Sequence, residues 1–310
     1  MSFSLRQAID RMPLSVKPIF AILFTIVISG FFFFLGLKVE LYTYNLDFKG
    51  FSNLLQDLNN PVFVPLLRFF VAMQTIALFA IPPIILALIY DKNPITIFKL
   101  NKKPTLHYLG LSLVLILIAN PFVNLLSDFN SQILDSILGV TNSLKTEDLQ
   151  TQKIFAALLK DTHLLSLFTN TIIIALLPAV CEELFFRGLL QKVVLRKYMT
   201  MHYAVFLSAF IFSFFHFQFY GFIPRFILGI AFGYIFEWTG SLWITICIHF
   251  TNNFLAVFFN YLISKNIINN SIESIGTGST QWLGYFGAIL SFAVFYVMYR
   301  KYIEANSATH

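Results

Sequence analysis

The chain has 310 residues, of which 57% are hydrophobic and 17% aromatic, including 38 Phe. Only 12% are charged, whereas a soluble domain carries roughly 25%, and the mean hydropathy is +0.75. So few charges cannot cover a water-soluble core, and the composition excludes a soluble enzyme, a nucleic-acid binder, a disordered chain and a disulfide scaffold. The net charge is +6, and the sequence contains no run of five like charges. A moderate positive charge of this kind is typical of basic loops in a membrane protein.

Eight apolar runs are candidates for membrane helices, because a hydrocarbon core of about 30 Å requires roughly 20 apolar residues in a helix. They cover residues 18–37, 66–90, 105–126, 165–190, 203–217, 222–237, 241–262 and 282–299. We therefore predict an all-α, polytopic membrane protein with about eight transmembrane helices, forming a single domain over residues 1–310. No small-residue cleavage site follows the first run, which we interpret as a retained span.

Some of these runs are irregular. The fifth and sixth are short and separated only by residues 218–221, so we expect them to be tilted, kinked or partly re-entrant. Pro82, Pro83 and Pro178 should bend their helices, which neighbouring helices in a bilayer can accommodate. The segment 127–164 is polar enough to lie outside the bilayer.

The Lys and Arg residues predict the orientation, because they concentrate in cytoplasmic loops. With the N-terminus inside, the inner segments hold twelve and the outer segments six. The inner ones are Arg6, Arg11, Lys17, Lys92, Lys99, Lys102, Lys103, Lys192, Arg196, Lys197, Arg300 and Lys301. We therefore predict that both termini face the cytoplasm.

Ionisable residues within the spans are few and clustered. Such residues cost free energy in a bilayer and usually mark function. The third run has none, whereas the fourth to seventh runs carry Glu182, Glu183, Arg187, His216, Arg225, Glu237 and His249, the last followed by Asn252 and Asn253. This asymmetry points to a site in the second half of the chain.

Spacing and depth sharpen the prediction. Glu183 and Arg187 are four residues apart, as are His249 and Asn253, so each pair lies on one helical face. At 1.5 Å per residue, Glu182, His216, His249 and Asn253 lie roughly 12–21 Å from the inner boundary and can share one layer. A buried carboxylate suits a general base, an imidazole can relay a proton, and a His with an Asn amide can stabilise an oxyanion.

At these residues the sequence resembles the CAAX-protease and bacteriocin-processing family of intramembrane proteases, which includes the type II CAAX prenyl endopeptidases. Residues 178–190, PAVCEELFFRGLL, match the E-E-x-x-x-R motif at Glu182, Glu183 and Arg187. FSFFH, ending at His216, matches F-x-x-x-H, and HFTNN, beginning at His249, matches H-x-x-x-N. The motif core covers about 165–262.

The resemblance implies an intramembrane endopeptidase that cuts a membrane-associated substrate, with a prenylated CAAX-type protein as one candidate. It implies that Glu182 and His216 activate water, that His249 and Asn253 stabilise the oxyanion, and that Glu183 has a supporting role, held by Arg187. Metal dependence stays open: Glu182, His216 and His249 would be the ligands if zinc is used, but they lack the H-E-x-x-H pairing of helical zinc sites. No other cofactor and no nucleic acid is expected.

Other interpretations of the same residues remain. Intramembrane Glu and His residues also relay protons in transporters, although neither related halves nor paired interrupted helices are evident. A catalytically inactive immunity or scaffold protein would tolerate loss of Glu182. Glu183 and Arg187 are also explained by an ion pair that fixes helix packing, Arg225 and Glu237 by positions at span ends, and Gly229-x-x-x-Gly233 by close helix packing.

Overall fold

The computed structural model describes residues 12–13, 16–54, 57–58, 60–90, 93–139 and 142–307, which contain helices and no strand. Seven helices in these ranges are long and apolar enough to cross a membrane. They are Ile19–Thr43, Phe63–Ile89, Leu106–Leu138, Leu164–Leu195, Phe219–Thr239, Leu242–Ser264 and Gly278–Ser307, with the shorter apolar helix Met201–Phe214 between the fourth and the fifth. The predicted all-α polytopic architecture is confirmed, and the chain is an integral membrane protein.

The α-helices are numbered in chain order. The first half contains α1 (Lys17–Thr43), α2 (Phe48–Leu54), α3 (Phe63–Thr75), α4 (Ile81–Tyr90), α5 (Pro94–Ile97), α6 (Leu106–Leu138) and α7 (Ser143–Leu159). The second half contains α8 (Leu164–Asn170), α9 (Leu177–Glu183), α10 (Met201–Phe214), α11 (Phe222–Thr239), α12 (Leu242–Ser264) and α13 (Gln281–Ser307). π-Helical segments continue the second and fourth spans at Ile76–Ala80, Thr171–Leu176 and Leu184–Leu195, and 3₁₀ turns lie at Phe219–Gly221, Asn270–Ser274 and Gly278–Thr280.

Pro82 in the second span and Pro178 in the fourth each lie shortly after a π-helical segment. Pro82 has no N–H for the Leu78 carbonyl, and the Ser29 hydroxyl of α1 donates to that carbonyl at 3.5 Å. Pro178 likewise has none for the Ile174 carbonyl, which accepts from the Asn253 amide of α12 at 3.5 Å. Neighbouring helices thus supply the missing donors, as expected for interrupted helices in a bilayer.

Helix α10 is short, as predicted for the fifth run, and several other spans are longer than their predicted runs. Helix α10 has 14 residues, about 21 Å, which is shorter than a hydrocarbon core of about 30 Å. Helix α6 continues to Leu138 instead of ending near residue 126, because the polar residues of its last turns bond to the α10–α11 connection, as described below. Arg6, Arg11 and Lys92, which contributed to the predicted orientation, lie outside the described residues, and the orientation stays a prediction.

Helices α10 and α11 pack closely against each other and against the fourth span. A Cβ atom on Gly229 would lie 3.0 Å from the Cβ and 3.2 Å from the Cα of Ala209. One on Gly233 would lie 2.9 Å from a Val205 methyl group. The absence of side chains at both glycines therefore allows this approach, as the Gly-x-x-x-Gly spacing predicts.

We expect Gly229→Ala to lower the free energy of unfolding by about 1–3 kcal/mol, because the added methyl group would displace the α10 backbone. Thermal unfolding of the detergent-solubilised protein measures the effect. Gly110→Ala in α6 is the matched control: its new methyl group meets no atom within 4 Å, and it gains helix propensity of up to about 1 kcal/mol. Equal melting temperatures for the two variants would contradict the packing argument.

Candidate active site

A fully buried ion pair lies at the centre of the candidate site. Arg187 Nη1 lies 2.6 Å from Glu183 Oε1, and the two side chains are 1% and 0% exposed. Arg187 Nη2 donates to the Gly229 carbonyl of α11 at 3.2 Å. The rings of Phe212 and Phe232 lie 4.9 and 5.3 Å from the guanidinium carbon. The charge of Arg187 is therefore compensated by a carboxylate, a carbonyl and two aromatic rings.

His249 extends this pair to the second glutamate. Its Nδ1 atom lies 2.9 Å from Glu183 Oε1, the oxygen that also binds Arg187. A carboxylate paired with arginine is ionised and only accepts, so we assign a proton to His249 Nδ1. His249 Nε2 lies 3.8 Å from Glu182 Oε2, beyond hydrogen-bond length. One imidazole thus faces both glutamates of the first motif.

Glu182 has an unsatisfied carboxylate oxygen. The residue is 8% exposed, and its Oε2 atom is buried without a hydrogen-bond partner among the described residues. Most buried polar atoms have a hydrogen-bond partner, so this oxygen is available to accept a hydrogen bond from a further donor. The oxygen points toward His249 Nε2, and a donor bound there would meet both groups.

His216 approaches the same cluster from the end of α10. Its Nδ1 atom lies 2.8 Å from the Phe212 carbonyl, which can only accept, so Nδ1 carries the proton and Nε2 of the neutral ring is an acceptor. The Phe212 ring lies 4.9 Å from the His216 ring and 6.0 Å from the His249 ring, edge-on to both. His216 is also close enough to Glu182 and His249 for electrostatic interaction. Phe212, the first residue of its motif, therefore separates and orients the two histidines.

Arg225 holds the turn that carries His216, a role that motif analysis missed. It lies in the first turn of α11, and its guanidinium donates to the side-chain oxygen of Gln218 at 2.8 Å and to the Gln218 carbonyl. A Cβ on Gly221 would lie 2.8–2.9 Å from the guanidinium atoms, so the absence of a side chain at Gly221 lets the guanidinium lie against this turn. Arg225 also interacts electrostatically with Glu182. The sequence carried a signal, since Gln218 and Gly221 flank the predicted interruption between the two runs.

The last turns of α6 secure the same connection from outside. Asn130 is buried, donates to the Phe219 carbonyl at 2.9 Å and accepts from the Ile223 N–H at 3.1 Å. The Tyr220 hydroxyl donates to Asp135 at 2.7 Å, and Lys145 of α7 pairs with the same carboxylate at 2.6 Å. His216 is therefore positioned by residues far from it in sequence.

Asn253 lies one helical turn beyond His249 and is partly buried. Its Nδ2 atom donates to the Ile174 carbonyl at 3.5 Å, and its Oδ1 atom accepts from Asn252 at 3.3 Å. Both distances are long for hydrogen bonds, so a stronger acceptor can compete for the amide.

The donors do not form a metal site. In the part of the chain that the structure describes, no three His, Cys, Asp or Glu side chains are placed to hold one metal ion. His249 Nδ1 is bound to Glu183, so only its Nε2 atom is directed at Glu182, and two donors are fewer than the three or four protein ligands of zinc sites. The predicted set Glu182, His216 and His249 therefore does not fit zinc in this geometry, and no step of the mechanism below uses a metal.

Residues 164–255 match a family model described as type II CAAX prenyl endopeptidase Rce1-like. This segment is similar to that family. It runs from the start of the fourth span to the middle of α12 and contains all three motifs and every predicted site residue, so the resemblance drawn from those motifs is confirmed. The match covers just under a third of the chain. Comparisons with curated proteins and with solved structures found no match.

We expect Arg187→Gln to destabilise the protein by about 3–5 kcal/mol, because it leaves the Glu183 carboxylate buried without a cation. The double variant Glu183→Gln/Arg187→Gln removes both charges and should recover a large part of that loss. Thermal unfolding of the single and double variants measures the coupling. A double variant no more stable than Arg187→Gln alone would contradict the ion-pair interpretation.

Proposed function

We propose that the protein is an intramembrane endopeptidase that hydrolyses a peptide bond near the C-terminus of a membrane-associated, CAAX-type substrate. The carrying observation is the placement of Glu182 Oε2 beside His249 in the segment similar to the Rce1-like family, buried and without a hydrogen-bond partner in the part of the chain that the structure describes. A carboxylate oxygen that has no hydrogen-bond donor can accept a proton from a bound water molecule, which suits general base catalysis.

In the proposed reaction Glu182 accepts a proton from a water molecule while that water attacks the scissile carbonyl carbon. His216 assists by accepting a hydrogen bond from the same water through Nε2, the nitrogen left as acceptor by the bond to Phe212. The carbonyl π electrons move onto oxygen as the new C–O bond forms. They then re-form the carbonyl as the C–N bond breaks and the proton held by Glu182 passes to the leaving amine. The carboxyl proton of the new C-terminus passes to that amine, so the products are a carboxylate and an ammonium group and no cofactor is consumed.

His249 and Asn253 stabilise the oxyanion in this scheme. His249 is held by Glu183 through Nδ1, so its Nε2 face is directed at the Glu182 side of the site. An imidazolium between two carboxylates can donate from Nε2 to the developing oxyanion. Asn253 joins by exchanging its long bond to Ile174 for a charge-assisted one. Glu183 and Arg187 act as positioning residues.

An apolar groove supports lateral access from the membrane. It has a volume of about 540 Å³ and lies between α1, the second and fourth spans and α10. Phe185 and Phe215 line it, and they lie three residues after Glu182 and directly before His216. A hydrocarbon chain on the substrate would fit this lining, which favours a lipid-modified or membrane-inserted peptide over a soluble one.

Glu182→Gln and His249→Ala should each lower cleavage of a farnesylated CAAX peptide by about 10²–10⁴-fold, since each removes a group used in the transition state. The assay follows release of the C-terminal tripeptide by purified protein in nanodiscs. Glu40→Gln, which changes a buried carboxyl group of α1 outside the site, is the matched control and should retain activity.

Wild-type rates in both site variants would refute the assignment. A folded wild-type protein that cuts neither the farnesylated nor the unmodified peptide would instead favour an inactive scaffold. Faster cleavage of the farnesylated peptide than of the unmodified one would support the role of the groove.

We also expect full activity after dialysis against a chelator and no stoichiometric zinc in the purified protein, because no three donors in the described ranges are placed to hold one ion. Elemental analysis and the peptide assay before and after dialysis measure both quantities. Loss of activity that is restored by added zinc would overturn the metal-free scheme while leaving the protease assignment intact.

A further inference from the structure

Besides the apolar groove, the structure contains a polar cavity, which lies at the end of α11 opposite the His216 turn. It has a volume of about 370 Å³ and is lined by Lys99, Lys192, Arg196, Phe236, Glu237 and Gly240. Lys102 Nζ also lies beside Gly240, 3.1 Å from where a Cβ would be. Glu237 follows Arg225 by twelve residues, or about 18 Å along the helix. The cavity is therefore distinct from the candidate active site.

Among the described residues, positive charge in and around this cavity exceeds negative charge. The ammonium groups of Lys99 and Lys192 are close enough to interact, and Lys102 adds a third positive charge nearby. Of the acids that the structure describes, Glu237 lines the cavity, and it already binds Gln191 at 3.0 Å and Arg196 at 3.3 Å. Three lysines thus lie close together, an arrangement that costs free energy unless an anion neutralises it.

Lys99 and Lys102 lie on a loop that is docked against the helices, whereas Lys192 lies in the fourth span. Phe98, buried in the core, packs where Gly188 has no side chain, since a Cβ there would lie 2.8 Å from its ring. Ser241 donates to the Lys102 carbonyl at 2.8 Å, and Trp243 donates to the Leu100 carbonyl at 2.8 Å. These contacts hold the loop in place, so Lys99 and Lys102 stay close to Lys192 despite the repulsion among their positive charges.

We propose that this cavity binds a phosphate group, presented by the headgroup of an acidic phospholipid. It lies where the fourth span and Phe219–Thr239 end and before Leu106–Leu138 begins, which is the depth of headgroups. The face is the one predicted to be cytoplasmic, where acidic lipids are enriched and where basic pockets between helices bind phosphate headgroups. Lys99 and Lys192 would contact the phosphate oxygens directly.

The test compares the full-length protein in nanodiscs of phosphatidylcholine with nanodiscs of an equimolar phosphatidylcholine–phosphatidylglycerol mixture, by thermal unfolding and by lipid retention in native mass spectrometry. Lys99→Gln/Lys192→Gln removes two cavity charges. Lys103→Gln/Lys197→Gln removes two exposed charges outside the cavity lining and is matched in net charge. A third sample adds inorganic phosphate to wild type in phosphatidylcholine.

We expect phosphatidylglycerol to raise the melting temperature of wild type and of the control by several degrees, and to leave that of the cavity variant unchanged. The cavity variant should bind the lipid about tenfold more weakly than the control. In phosphatidylcholine it should melt no lower than wild type, because like-charge repulsion is relieved. If the double variant does not fold, Lys99→Gln alone repeats the measurement.

Equal stabilisation of both double variants by phosphatidylglycerol, or none of wild type, would overturn the proposal. Equal stabilisation of wild type by inorganic phosphate and by the lipid would overturn the lipid source. None of these outcomes depends on peptidase activity, so the proposal stands or fails separately from the proposed function.

Discussion

The carboxylate of Glu183 connects four helical elements through one ionic interaction. It pairs with Arg187 on its own span, and the same oxygen binds His249 of α12. Arg187 in turn binds the Gly229 carbonyl of α11 and contacts the Phe212 ring of α10. Because an unpaired charge at this depth would be strongly destabilising, the four elements must remain in this arrangement for the site to persist. The position of His249 thus depends on the same carboxylate that neutralises the charge of Arg187.

Close packing around α11 is part of the same constraint. Arg187 and Gln191 lie four residues apart and donate to the carbonyls of Gly229 and Gly233, which are also four residues apart. Side chains at these glycines would hold α10 away from α11 and weaken the contact of the Phe212 ring with both Arg187 and His249. The electrostatic and steric requirements of the site therefore coincide at two glycines.

Interrupted helices have a comparable role in the fourth span. The π-helical segments on either side of α9 place Glu182 and Glu183 in a short α-helical stretch between irregular ones, and such segments are frequent at functional sites. The carbonyl released by Pro178 binds Asn253. The same interruption that bends the span thus tethers the proposed oxyanion donor, and the tether is weak enough to exchange.

The sequence by itself determined the fold class and the approximate spans and predicted the candidate site residues, because hydropathy and i,i+4 spacing depend on residues close in the chain. It predicted the Glu183–Arg187 pair for that reason, and the common depth of Glu182, His216 and His249 from helix rise alone. Only the tertiary structure decided that His249 binds Glu183 and faces Glu182. Adjacent residues of a helix point about 100° apart, so the sequence does not specify which of the two glutamates a neighbouring helix contacts. The Arg225 turn, the Asn130 contacts and the lysine cavity were likewise decided by packing between residues distant in sequence. No local sequence pattern specifies which helices become neighbours. The neighbours are set by the requirement that the buried charges and free carbonyl groups of all the helices find partners in the same arrangement.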